Sequence, residues 1–218
     1  MPGSTQSKGV LIAVEGVEGA GKSTLCRRLS EVLCGEGILT GRLKFPNRHT
    51  PTGQLLTMYL RGLSIPTPRQ EFLLFAANRQ ESSRMLDYKL RHFPVVLCDR
   101  YVDSGAAYAM SSEDGITREW CQDVEGHLPQ PNAVLFLDLP PSMVMNRCDP
   151  HKDLEEIDLG DAHKDAASNY HALQSSHWTR IDARLPEVDV LSEALDICRQ
   201  WFPLREEVLS TNPPVLDD

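Results

Sequence analysis

The chain reads as an α/β protein, with a five-stranded parallel sheet flanked by helices on both faces. Three observations predict this. Short apolar runs recur at residues 10–15, 42–45, 95–98, 133–139 and 178–181. Stretches with helical spacing separate them. A glycine-rich turn follows the first run directly. Strands that alternate with helices need crossover connections, and crossovers make the sheet parallel. Such sheets bind ligands at the carboxyl ends of their strands.

Each element has its own signal. Residues 10–15 form a short apolar run, closed by Glu15, of the kind a buried strand shows. Residues 16–21 break it. Residues 22–33 then place Leu25, Leu29, Val32 and Leu33 on one helical face, with Arg27, Arg28 and Glu31 elsewhere. Gly35 and Gly37 supply the stop. The second strand, 42–45, is stopped by Pro46, and 54–60 is a short helix. Thr67, Pro68 and Gln70 form a helix start, with Thr67 as N-cap, Pro68 at the first helical position and Gln70 as capping-box partner. One helix is expected from there to about residue 91. Pro94 precedes the third strand, Thr117 opens a helix, and Pro141 starts a short one through 145. A helix over 162–176 precedes the fifth strand, and 188–201 is the last helix. Residues 148–161 are polar and acidic, which suits a mobile loop over a site. The expected organisation is a disordered 1–9, one domain over 10–202 with a lid at about 147–161, and an acidic, Pro-rich tail over 203–218.

Size and charge narrow the function. A chain of 218 residues is long enough for one full core. A net charge of −9 argues against a nonspecific nucleic-acid binder, which needs a broad basic face. A small anionic substrate is still accommodated, because a local arginine cluster can bind it on an acidic protein. The six cysteines, at 26, 34, 98, 121, 148 and 198, form no C-x-x-C pair and no zinc spacing. They read as reduced thiols. No apolar run reaches the roughly 20 residues a membrane helix needs, and no signal or transit character precedes Val10. Cytoplasm is the expected compartment, with the nucleus as the other choice.

The chemistry begins at Gly16-Val-Glu-Gly-Ala-Gly-Lys-Ser23, a complete G-x-x-x-x-G-K-[ST] sequence. Glycines let the backbone curl so that its amides face a phosphate. The helix that follows adds its positive end. Lys22 reaches the outer phosphates of a nucleotide, and Ser23 offers a hydroxyl to Mg²⁺. Asp99 and Arg100 close the third strand. An Asp there can orient the metal, and an Arg can fork onto a phosphate. Phe75 and Arg79 share a helical face four residues apart, suited to stacking on a base and bonding its edge. Asp123-Val-Glu-Gly126 fits the D-x-x-G of GTPases, but no strand precedes it and no N-K-x-D follows, so Asp123 is expected on a helix surface.

Together these segments carry a family resemblance. Glu15-Gly-Val-Glu-Gly-Ala-Gly-Lys-Ser-Thr24, Phe45-Pro-Asn-Arg48, Phe75-Ala-Ala-Asn-Arg79 and Asp99-Arg-Tyr-Val-Asp-Ser-Gly-Ala-Ala-Tyr108 resemble thymidylate kinase (dTMP kinase) over residues 10–139. The resemblance implies a three-layer P-loop kinase fold with a mobile lid, ATP as donor, dTMP as acceptor, Mg²⁺ and a homodimer. For ATP it implies Gly16, Glu18, Gly19, Ala20, Gly21, Lys22, Ser23 and Thr24 in the loop, Arg147 over adenine, and Asp182 and Ala183 along its other side. For dTMP it implies Phe75 on thymine, Arg79 on its edge, Ser104 and Gly105 beside it, and Phe45 and Pro46 by the methyl group. Arg48 and Arg100 would hold the monophosphate, Glu18 the 3′-hydroxyl, and Tyr108 the sugar. Ser23 and Asp99 would serve the metal.

The sequence departs from the family at three places. Gly19 stands where eukaryotic members carry an arginine, and the lid that supplies one in bacterial members has none here. Lys152 is its fixed positive charge and is expected, with Arg147, to replace the missing group, making Lys22, Arg48, Arg100 and Lys152 the catalytic set. The lid also lacks the family's tyrosine, and Arg184 follows Asp182-Ala183 where a small polar residue is usual. Competing readings are a deoxynucleoside or nucleotide kinase acting on thymidine or dUMP, and a noncatalytic nucleotide-binding module.

Overall fold

The structure is a computed structural model and describes residues 9–64, 66–112, 114–147 and 160–201. The expected lid residue Lys152 and the tail lie outside them. The strands are β1 (Val10–Glu15), β2 (Thr40–Lys44), β3 (Val95–Asp99), β4 (Ala133–Asp138) and β5 (Trp178–Asp182). They form one sheet in the order β2-β3-β1-β4-β5. All pairings are parallel, with Val14 opposite Asp99 and Glu15 opposite Phe136. Gly9, counted with the terminus in the sequence reading, donates to Leu90 O at 2.6 Å.

The helices are α1 (Lys22–Gly35), α2 (Pro51–Leu60), α3 (Pro68–Glu81), α4 (Ser83–His92), α5 (Val102–Ala109), α6 (Arg118–Glu125), α7 (Pro141–Arg147), α8 (Gly160–Leu173) and α9 (Glu187–Trp201). Strand side chains alternate between two cores because successive residues point to opposite faces. Ile12, Val14, Val95 and Leu97 join one core with Leu29 of α1, Phe72 of α3 and Ala194 of α9. Leu11, Ala13, Val96 and Cys98 join the other with Leu86 and Leu90 of α4. A sheet buried on both faces explains the unbroken apolar runs, and gives the three layers. Each leucine fully removed from water contributes about 1.5–3 kcal/mol.

Helix α2 starts at Pro51, α8 runs Gly160–Leu173 and β2 runs Thr40–Lys44, each shifted by a few residues from expectation, and two helices differ in kind. The single helix expected over 67–91 is two, and Ser82 ends one and caps the next. The reason is packing. Phe72 and Ala76 of α3 face the first core, whereas Leu86 and Leu90 of α4 face the second, so the chain must turn between them. Ser82 is buried at that turn, and its hydroxyl accepts from Asn47 Nδ2 at 3.3 Å. Helix α5 was not expected at all. Its Ala, Gly and Ser side chains give no amphipathic stripe, because the helix is held between α3 and α8. The capping box at Thr67 and Gln70 is present as the sequence indicates. Asp123 lies exposed on α6.

Candidate active site

The loop 16–21 leaves the end of β1, the central strand, and turns into α1. Three of its glycines take positive φ: Gly16 at 142°, Gly19 at 70° and Gly21 at 95°. At Gly16 a side chain is also excluded by space, since a Cβ would lie 2.5 Å from Leu137 O. No acidic residue stands in the first turn of α1, so its positive end is left open to an anion. Lys22 is 5% exposed and donates from Nζ to Val17 O at 2.6 Å. Burial, then the charge of Arg100, holds its ammonium down at about 8.

Asp99 ends β3 next door. Ser23 Oγ donates to its Oδ2 at 2.5 Å. Its Oδ1 is buried without a hydrogen-bond partner. A buried carboxylate oxygen left unpaired is costly, and a cation with its water would satisfy it. Ser23 and Asp99 therefore fit a divalent metal. Lys44, at the end of β2, stands beside both and was not singled out by the sequence.

Arg100 has φ of 66°, the one positive value at a non-glycine among the described residues. Backbone strain of this kind gathers at functional sites. The turn aims its guanidinium across the sheet end, where Nη1 donates to Gly16 O at 3.2 Å and Nη2 pairs with Glu18. Burial raises the Glu18 carboxyl, but the charges of Arg100 and Lys22 outweigh it and bring it down to about 2. Glu18 is ionised at any working pH.

Beyond Arg100 lies a cavity of about 200 Å³ between α3 and α5. Phe45, Pro46, Phe75, Gly105 and Tyr108 line it. The Phe45–Pro46 bond is cis. Arg79 sits at the floor, 3% exposed, with Nε on Glu125 Oε1 at 2.5 Å. Its Nη2 is buried without a partner and lies against Gly105. That leaves one donor for a ligand's edge. A Cβ on Gly105 would collide with that nitrogen, which is why the residue there has no side chain.

Ser104 lines the cavity too, but its hydroxyl turns away and donates to Glu15 Oε2. Glu15 also accepts from Tyr101 N at 2.8 Å and Ser104 N at 3.3 Å, and Ser104 Oγ meets Tyr170 Oη at 2.8 Å. The carboxylate thus caps the first turn of α5, where exposed amides favour an anion. Burial raises the Glu15 carboxyl, and burial followed by the Glu15 charge pushes Asp103 to about 8.

A second cavity opens on the other side of the loop. Ala20, Gly21 and Thr24 line it from the loop and α1, and Arg147 and Ala183 from the far side. Arg147 Nη1 donates to Ala183 O at 2.8 Å. Asp182 is turned to Arg184, Oδ2 to Nη2 at 2.7 Å, instead of lining the space. Arg48 is exposed after β2 and does not line the acceptor cavity. Glu15 and Glu125 act as partners that no motif in the sequence marks. Only Glu15 carried a hint, as the last residue before the loop.

Two anion-binding regions sharing the end of one parallel sheet, with a glycine-built loop between them, is the arrangement of nucleotide kinases of the P-loop class, and this chain is one of them. The family model for thymidylate kinase matches residues 14–194. The chain is 36% identical to the thymidylate kinase of Arabidopsis thaliana over 92% of its length and 78% of that protein's. It is 32% identical to that of Danio rerio over 92% and 94% of the two chains, and 41% identical to that of Homo sapiens over 61% and 62%. In fold it is similar to the Candida albicans thymidylate kinase, with a TM-score of 0.75 at 24% identity, covering 88% of this chain and 92% of that one. The chain belongs to the thymidylate kinase family. It is a nucleoside monophosphate kinase that phosphorylates dTMP with ATP as donor. Among the described residues, no helix is long and apolar enough to cross a membrane.

Proposed function

We propose that the γ-phosphoryl group of ATP passes directly, in line, to a phosphate oxygen of dTMP, without a covalent enzyme intermediate. The observation that carries this reading is the position of Arg100. It lines the acceptor cavity while its guanidinium is bonded to Gly16 and Glu18 of the donor loop. One cation therefore borders both nucleotide sites. Transfer between two anions needs alignment and charge neutralisation more than covalent help.

In this reading the loop amides and Lys22 bind the ATP phosphates, and Arg147 and Ala183 border adenine. Ser23 and Asp99 would hold Mg²⁺, which would neutralise phosphate charge there. Phe75 stacks on thymine and Arg79 bonds its edge through the unpartnered Nη2. Phe45, Pro46 and Gly105 fit the ring's outline. Glu18 accepts from the sugar 3′-hydroxyl, and Tyr108 closes on the sugar. Arg100 and Arg48 hold the monophosphate, Arg48 moving in with the substrate. Lys152, on a lid over 147–161, adds charge as the lid excludes water.

The family resemblance and the exposed Leu55, Met58 and Leu73 on α2 and α3 support a homodimer. The described cysteines are free thiols, which supports the cytoplasm or nucleus.

The test is ADP release with dTMP, dUMP, dGMP and thymidine as acceptors. The reading requires dTMP to be fastest. A faster rate with thymidine would overturn it.

A further inference from the structure

Lys44 ends β2 and is the register partner of Asp99 across the β2–β3 pair. Its Nζ lies 3.1 Å from Ser23 Oγ and 3.7 Å from Asp99 Oδ2. These are the two side chains the proposed function assigns to the metal. An ammonium there and a divalent cation on the same oxygens repel each other, and both cannot stay. Lys44 is the one free to leave. Its side chain is 66% exposed, so moving it disturbs no packing, whereas Asp99 is 6% exposed and fixed by the strand. Lys44 also satisfies the pair poorly, because Asp99 Oδ1 keeps no partner. The next residues along the chain are Phe45 and Pro46, the wall of the acceptor cavity. An ammonium displaced from the Ser23–Asp99 pair is therefore tethered between the donor loop and the acceptor phosphate. Lys22 and Arg100 are held by other partners, Lys22 by Val17 O and Arg100 by Glu18 and Gly16, so neither sits on the Ser23–Asp99 pair.

We propose that Lys44 is a movable cation of the phosphoryl-transfer site. It occupies the Ser23–Asp99 pair in the nucleotide-free enzyme. With a divalent metal on that pair, Lys44 would leave it and contact the phosphoryl group in transfer. A lysine suits this role, being a compact charge on a flexible stem. The proposal rests on Ser23 and Asp99 as the metal pair, and the experiment separates the two.

Three variants of the full chain are compared with the parent: Lys44→Met, Lys44→Arg and Asp99→Asn. Free Mn²⁺ is measured by electron paramagnetic resonance in the presence of enzyme and ADP. Steady-state rates are measured with Mg²⁺, ATP and dTMP. Lys44→Met should bind Mn²⁺ with ADP about threefold more tightly or better, having lost its competitor, while kcat falls at least about tenfold, or ~1.4 kcal/mol, at little-changed KM. Lys44→Arg should recover most of the rate. Unchanged or weaker Mn²⁺ binding in Lys44→Met overturns the displacement. A kcat within about threefold of the parent overturns the contact with the transferring group. Asp99→Asn should weaken Mn²⁺ binding. If it does not, the metal assignment itself falls. Should Lys44→Met fail to fold, Lys44→Gln replaces it, shorter by one atom but with a neutral polar end.

Discussion

Arg79 and Glu125 meet at 2.5 Å, Nε to Oε1, with the two side chains 3% and 5% exposed. The pair holds the arginine so that one nitrogen is left for a ligand. Removing one member of a buried pair strands the other, at about 3–5 kcal/mol. Glu125→Ala should lower unfolding stability by that amount in a denaturant titration. Glu125→Gln should keep the fold better and still raise the KM for dTMP, because a neutral amide holds the guanidinium less firmly.

Gly105→Ala tests the same floor without touching a charge. The added methyl group meets Arg79 Nη2. Arg79 must shift away from the ligand edge. The KM for dTMP should rise about tenfold or more, while the KM for ATP stays near the parent value. An equal rise in both would point to a general loosening of α5.

Phe75→Ala removes the stacking face. Stacking of a base on an aromatic side chain is worth about 1–3 kcal/mol. The KM for dTMP should rise accordingly with kcat largely kept, since stacking is the same in ground and transition states. Isothermal titration of dTMP into the variant checks the binding part alone.

Lys22 sets an upper pH limit. Its ammonium, held at about 8 in the free enzyme, is charged below that pH and neutral above it. The kcat/KM for ATP should therefore fall as pH rises through about 8. Bound phosphates favour the charged form, so the fall in kcat should come at higher pH. Coincident limbs in the two profiles would remove Lys22 as the cause.

Asp103 gives a pH effect on stability of the opposite origin. Burial, then the Glu15 charge, pushes its carboxyl to about 8 in the fold, against an ordinary value of 3.8. Between these values the folded chain keeps a proton that the unfolded chain has released. Stability should fall as pH rises across that window. Asp103→Asn should flatten the decline, as read from thermal melts at several pH values.

The parts legible in the sequence were those with local causes. The loop 16–23 was visible because only glycines tolerate its φ values, and the helix start at Thr67 because its cap and box are three residues apart. The strands were visible because both faces of the sheet are buried. What stayed hidden depends on contacts distant in sequence. The turn at Ser82 follows from which core each helix faces. Glu125 looked like part of a D-x-x-G stretch and is the partner of an arginine 46 positions earlier. Helix α5 has no stripe because it has no solvent face to contrast with a core face. Nothing local to the second strand marks Lys44, because its neighbour Asp99 is brought beside it only by the sheet.

Glu15 ties the end of β1 to the start of α5 and, through Ser104, to Tyr170 of α8. The donor loop begins at the next residue, and the acceptor cavity has α5 as its wall. The two halves of the site are thus mounted on a single rigid bracket. Enlarging the base pocket by shifting α5 would slacken the phosphate loop along with it. Redesign for bulkier acceptors should instead carve side chains from α2, such as Tyr59 and Leu60, which border the cavity and pack in a cluster apart from that bracket.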